Sequence, residues 1–214
     1  MDGTAFFING ASSSGKTSLC RALQTLWARP LARVGVDTLI GMLPTAYTGF
    51  GERAAEGYPF RIEPDAEGRR LTRARTGPAG RILNRRMAEF VAGCAADGLD
   101  VVVDHVVLEP EDFDDFATVL DPGRSWLIGL RCDLDVLELR EKARGDRALH
   151  LAREQSPRVH AGRWTYDLML DSTDASPHVL AGKVLDHTAA GRPQALARLR
   201  TSSPARQEVT RREL

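Results

Sequence analysis

Phe7-Ile8-Asn9-Gly10-Ala11-Ser12-Ser13-Ser14-Gly15-Lys16-Thr17 is the stretch whose reading decides the fold. An apolar run at residues 5–8 enters it as a strand, and residues 17–26 leave it with helical character. Gly10 to Thr17 fill every fixed position of G-x-x-x-x-G-K-[ST]. In that context Gly10, Ser12, Ser13, Ser14 and Gly15 are small enough for successive backbone N–H groups to turn inward around phosphate oxygens at a helix N-terminus. Lys16 is expected to reach the β- and γ-phosphates and the Thr17 hydroxyl to ligate Mg²⁺, with Ser18 also counted among the nucleotide-binding residues. The chain thus reads as a binder of ATP or GTP. The competing reading is a Gly/Ser-rich turn that binds nothing.

Outward from this loop, apolar runs near residues 31, 101, 125 and 168 add four strands to the one that begins near residue 4. Helical patterns lie between them, at 78–96, 110–120 and 135–154, and a last one covers 177–189. Strands alternating with helices predict an α/β fold, a five-stranded parallel sheet covered on both faces. This is the anatomy of a small P-loop kinase, with ligands beyond the C-terminal ends of the strands. One kinase-like domain is expected over 1–189. Within it, 45–77 is Gly-, Pro- and Arg-rich, too long for a structureless loop, and reads as an acceptor-side insertion holding a hairpin or covering a pocket. Residues 135–160 read as a helical lid. Residues 190–214 read as a polar, Arg-rich tail, poorly ordered from about Thr201, with Arg192, Arg198, Arg200, Arg206, Arg211 and Arg212 solvated.

The 214 residues carry 29 basic and 29 acidic side chains, a formal net charge of zero that argues against a nucleic-acid or membrane partner. Three scattered cysteines, Cys20, Cys94 and Cys132, give neither a disulfide framework nor a zinc spacing and suit a cytoplasmic chain. A strand begins within a few residues of the start, so no signal peptide is expected, and no apolar run approaches a membrane span.

Beyond the loop, four groups of residues carry chemistry. Asp104 ends an apolar strand, where a P-loop enzyme orders Mg²⁺ with a carboxylate; a cap or buried ion pair is the alternative. Asp37 ends the second strand, where it could accept the proton of an attacking hydroxyl or cap the short helix that follows. In Arg140-Glu141-Lys142-Ala143-Arg144-Gly145-Asp146-Arg147, cations on a Gly-broken helix could fold over a transferring phosphate. Arg144 and Arg147 are the first candidates and Arg140 the next, against a solvated charged face. The turn Asp171-Ser172-Thr173 could lie beside the nucleotide base or simply cap a helix. His105, a lone histidine, reads as structural.

Asn9 to Thr17, Gly35-Val36-Asp37-Thr38-Leu39-Ile40, Arg131-Cys132-Asp133 and Ala143-Arg144-Gly145-Asp146-Arg147, with Tyr166-Asp167 and Asp171-Ser172-Thr173, resemble the chloramphenicol 3-O-phosphotransferases over most of residues 4–187. The resemblance implies a shikimate-kinase-like fold, transfer of the γ-phosphate to a hydroxyl of an antibiotic, and Asp37 as the base that activates that hydroxyl. Residues 45–75 depart from the family pattern, His105 stands in place of an acidic residue, and the chain extends past His187. An Arg-rich cover over the pocket suits an acceptor with carboxylate or phosphate groups, so a nucleoside or sugar antibiotic is expected beside chloramphenicol. A kinase of primary metabolism and a non-catalytic nucleotide-binding module remain the alternatives, and the oligomeric state, a homodimer included, stays open.

Overall fold

The computed structural model describes residues 2–108, 110–145, 148–162 and 164–202. In chain order the elements are β1 (Ala5–Asn9), α1 (Lys16–Leu26), β2 (Leu31–Gly35), α2 (Val36–Gly41), β3 (Thr48–Gly49), β4 (Tyr58–Pro64), β5 (Arg70–Ala74) and α3 (Pro78–Ala96). They continue with β6 (Asp100–His105), α4 (Asp114–Val119), β7 (Ser125–Arg131), α5 (Leu134–Arg144), α6 (Leu151–Gln155), β8 (Leu168–Asp171), α7 (Pro177–Ala190) and α8 (Ala195–Ser202). The main sheet has five strands in the order β2-β6-β1-β7-β8, and every pairing in it is parallel.

The two-residue period of the strands sorts their side chains between two cores. Phe6, Ile8, Val102, Ile128 and Leu130 pack on one face against Leu19 and Leu23 of α1 and Leu180 and Val184 of α7. Phe7, Val101, Val103 and Leu127 pack on the other against Met87 and Val91 of α3, Phe116 of α4 and Leu196 of α8. Both faces are buried, which is why these strands read as continuous apolar runs rather than alternating ones. The strand order reverses at β1, whose neighbours are β6 and β7, so a crevice opens at its C-terminal end.

The 45–77 segment does contain a hairpin. Strands β4 and β5 pair antiparallel from Phe60↔Ala74 to Pro64↔Arg70, and β3 joins them in a small second sheet. The Asp65 carboxylate organises the turn by accepting from the amides of Glu67 at 3.0 Å and Arg69 at 2.7 Å. Three of the six arginines in this segment turn to its own carboxylates. Arg53 pairs with Glu56, Arg69 with Asp65 and Glu67, and Arg73 with Glu63.

The tail reading needs correction between residues 195 and 202. Ala195 and Leu196 are buried in the core with Leu199 packed against it, a short apolar stripe that the polar composition concealed. Arg200 is not solvated: its guanidinium donates to the carbonyls of Ala117 and Leu120, at 2.5 and 2.6 Å, around the C-terminus of α4. A cation there satisfies carbonyls that the helix leaves unpaired. Arg206, Arg211 and Arg212 lie outside the described residues.

Candidate functional site

The loop between β1 and α1 takes its shape from close approach and from handedness. A Cβ on Gly10 would stand 2.5 Å from the Leu130 carbonyl oxygen, so only glycine passes β7 there. Gly15, at φ +90°, turns the chain into α1 through the left-handed region. The hydroxyls of Ser12, Ser13 and Ser14 are buried without a hydrogen-bond partner among the described residues. Buried orphans of this kind are costly unless a polar ligand satisfies them, which fits a phosphate cradle. Lys16, at the first position of α1, donates to the Ala11 carbonyl at 2.9 Å.

Strand β6 ends on two residues that face opposite ways. Asp104 points to the loop, where its Oδ2 accepts from the Thr17 hydroxyl at 2.5 Å and lies 3.9 Å from Arg33 Nη1. A hydroxyl and a carboxylate are hard oxygen donors, and this pair fits Mg²⁺. His105 points to the other face, among Phe7 and Phe116, and its Nδ1 accepts from the Val106 amide at 2.9 Å. Burial pulls its imidazole down to about 4, against a smaller opposing pull from Asp104, so it is neutral with its proton on Nε2.

Two clefts open at the C-terminal ends of the strands. The first, of about 440 Å³, is lined by Ser13, Gly15, Lys16, Thr17, Ser18 and Asp104, and closed by Arg140 and Ser172. The second, of about 560 Å³, lies under the small sheet, with Tyr58, Phe60, Asn84, His105 and Gln155 among its walls. Val36, Asp37, Val106 and Arg144 line both. The structure therefore brings the loop, Asp37, Asp104, Arg140 and Arg144 together around one connected space. Arg147 lies outside the described residues.

Asp37 is not the cap of α2. The helix starts at Val36 with Gly35 in the cap position and no side-chain cap, which puts Asp37 in its first turn and exposed at the cleft wall. Arg140 is tied down: it donates to the carbonyls of Ser172 at 2.8 Å and Thr173 at 3.2 Å. It thereby anchors the turn after β8, whose Ser172 hydroxyl in turn donates to the Ser14 carbonyl at 2.7 Å. Arg144 ends α5, and Gly145 follows at φ +68° as its left-handed stop.

Two lining residues, Asn84 and Gln155, escaped the sequence reading, and a third, His105, read as structural yet lines the second cleft. His105 sat beside a candidate carboxylate, and strand alternation alone would have put it on the opposite face. Asn84 accepts the Tyr58 hydroxyl at 2.9 Å, and burial holds that phenol up to about 12. Gln155 reaches the loop from α6, a contact across 143 residues that no local pattern announces.

Two Mycobacterium tuberculosis proteins, from strains CDC 1551 and H37Rv and each named "Putative O-phosphotransferase", are 28% identical to this chain over 200 residues, covering 93% of it and 88% of their own length. Among solved structures, the Mycobacterium tuberculosis APS kinase in complex with AMPPNP and APS matches with a TM-score of 0.58 at 17% identity, over 88% of this chain and 98% of its own. Shikimate kinase from Acinetobacter baumannii in complex with shikimate matches with a TM-score of 0.56 at 12% identity, over 88% of this chain and 94% of its own. The sheet is thus that of the P-loop kinases. The chain is a phosphotransferase enzyme acting on hydroxyl groups, and it belongs to the chloramphenicol phosphotransferase-like family, whose model matches residues 3–189.

Proposed function

We propose that the protein transfers the γ-phosphoryl group of ATP or GTP to a hydroxyl of a small antibiotic and so inactivates it. The observation that carries this reading is that Asp37 and Arg144 line both clefts. The triphosphate is assigned to the first cleft, on residues 10–17, and the acceptor to the second. The reacting atoms then meet where the two join. Asp37 accepts the acceptor's hydroxyl proton as its oxygen bonds to the γ-phosphorus; the bond from that phosphorus to the β–γ bridging oxygen breaks, and the nucleoside diphosphate leaves. Lys16 and Arg144 balance the charge spread over the transferring group. Thr17 and, through water, Asp104 would hold Mg²⁺, which supplies charge neutralisation at the phosphates.

The second cleft favours an uncharged acceptor. Most of its walls are apolar or neutral: Ile40, Phe60, Leu108 and Leu151 beside Tyr58, Asn84 and His105. Of the arginines at 45–77 only Arg75 lines it, and Asp112 is also among its lining residues. An amphipathic neutral molecule such as chloramphenicol suits this lining better than a phosphorylated or carboxylated one.

The test is mass spectrometry of chloramphenicol incubated with the protein, Mg²⁺ and ATP or GTP. A gain of one phosphate, absent with Lys16→Ala, is expected. No gain by a protein that binds nucleotide would remove chloramphenicol as acceptor, and the assay would pass to nucleoside and aminosugar antibiotics.

A further inference from the structure

We infer that Gln155 is a positioning residue for the phosphate loop, fixing it to the segment that carries Arg144; this rests on the reading above that residues 10–17 hold the triphosphate. Gln155 and Ser12 are both buried, 4% and 3% exposed, and Gln155 Oε1 accepts the Ser12 amide at 2.7 Å. A buried amide at the start of a glycine-rich loop needs a partner, and an unmet one would let the loop relax away from its binding shape. Gln155 is the last residue of α6, a five-residue helix too short to hold its own place. Its N-terminus is held from α5. Glu141, 2% exposed, accepts from the amides of His150 at 2.6 Å and Ala152 at 3.0 Å, three residues before Arg144. From the other side Thr72 of β5 donates its hydroxyl to the Leu149 carbonyl at 2.6 Å and its amide to the His150 carbonyl at 3.2 Å. One continuous set of buried and part-buried hydrogen bonds therefore runs from the small sheet and α5, through α6 and Gln155, to the loop.

Gln155→Met keeps the length and bulk of the side chain and removes the acceptor, while Gln155→Glu keeps an acceptor. Isothermal titration with Mg²⁺–ATP and Mg²⁺–GTP and hydrogen exchange at the Ser12 amide separate the outcomes. With Gln155→Met, affinity for the tighter-binding nucleotide should fall about tenfold and Ser12 exchange should accelerate by a similar factor. Slow exchange should persist with Gln155→Glu. Unchanged affinity with Gln155→Met would overturn the inference, as would a lowered melting temperature with Ser12 exchange unaffected. A wild-type protein that binds neither nucleotide would instead remove the reading on which the inference rests.

Discussion

Replacing Asp37 by Asn tests the catalytic reading with the least disturbance to the fold. The side chains are nearly isosteric, and Asp37 is exposed in the first turn of α2, so no packing is lost. The meeting of the carboxylate with a helix N-terminus, which the variant gives up, is worth about 0.3–1 kcal/mol. At this chain length that lowers the melting temperature by at most about 4 °C. Nucleotide binding should hold or tighten, because a negative charge leaves the wall of the cleft assigned to the triphosphate. Transfer should suffer far more. A positioned general base contributes roughly 10²–10⁴ in rate, about 2.7–5.4 kcal/mol of barrier. The assay is kcat from coupled release of the nucleoside diphosphate, beside nucleotide affinity by titration calorimetry. A variant that keeps more than a tenth of wild-type kcat, or loses nucleotide affinity with its rate, would refute the assignment of Asp37 as base.

Arg144→Ala should lower kcat by about 10²–10³, the loss seen when one donor to a developing charge is removed, and Arg144→Lys should recover part of it in the same assay. Leu196→Ala should cost about 2–5 kcal/mol, because this side chain is fully buried against the main sheet. Thermal unfolding should register that loss while the nucleotide KM stays unchanged; no loss would refute the docking of α8. His105 gives a pH signature. Its folded value, about 4, lies below the 6.5 of the unfolded chain, so its contribution is fully present above pH 6.5 and is lost as pH falls towards 4. The difference is about 3 kcal/mol. Urea unfolding between pH 7 and pH 4 should show that slope, and His105→Gln should flatten it.

The parts of this molecule that were legible in its sequence are the local ones. The phosphate loop is a contiguous motif whose geometry follows from small residues and two glycines. The five strands declared themselves because both faces of the sheet are buried. What composition could not convey is which way a charge points. The arginines of 45–77 counted as a cover, yet Arg53, Arg69 and Arg73 turn to carboxylates of their own segment. Helix α8 was hidden for a related reason: Ala195, Leu196 and Leu199 form a helical stripe too short to stand out among arginines and serines. The convergence of Asp37 and Arg144, and the reach of Gln155 to Ser12, depend on how distant segments fold together. No spacing in the chain encodes them.

The account stands or falls on where the γ-phosphate lies. A crystal structure of the protein with Mg²⁺ and a non-hydrolysable ATP or GTP analogue would show it. The account predicts the β-phosphate on the amides of residues 13–17, Lys16 and Arg144 on the γ-phosphate, and its far face open to Asp37 and the second cleft. A γ-phosphate directed away from Asp37, or a triphosphate bound anywhere but on residues 10–17, would contradict it.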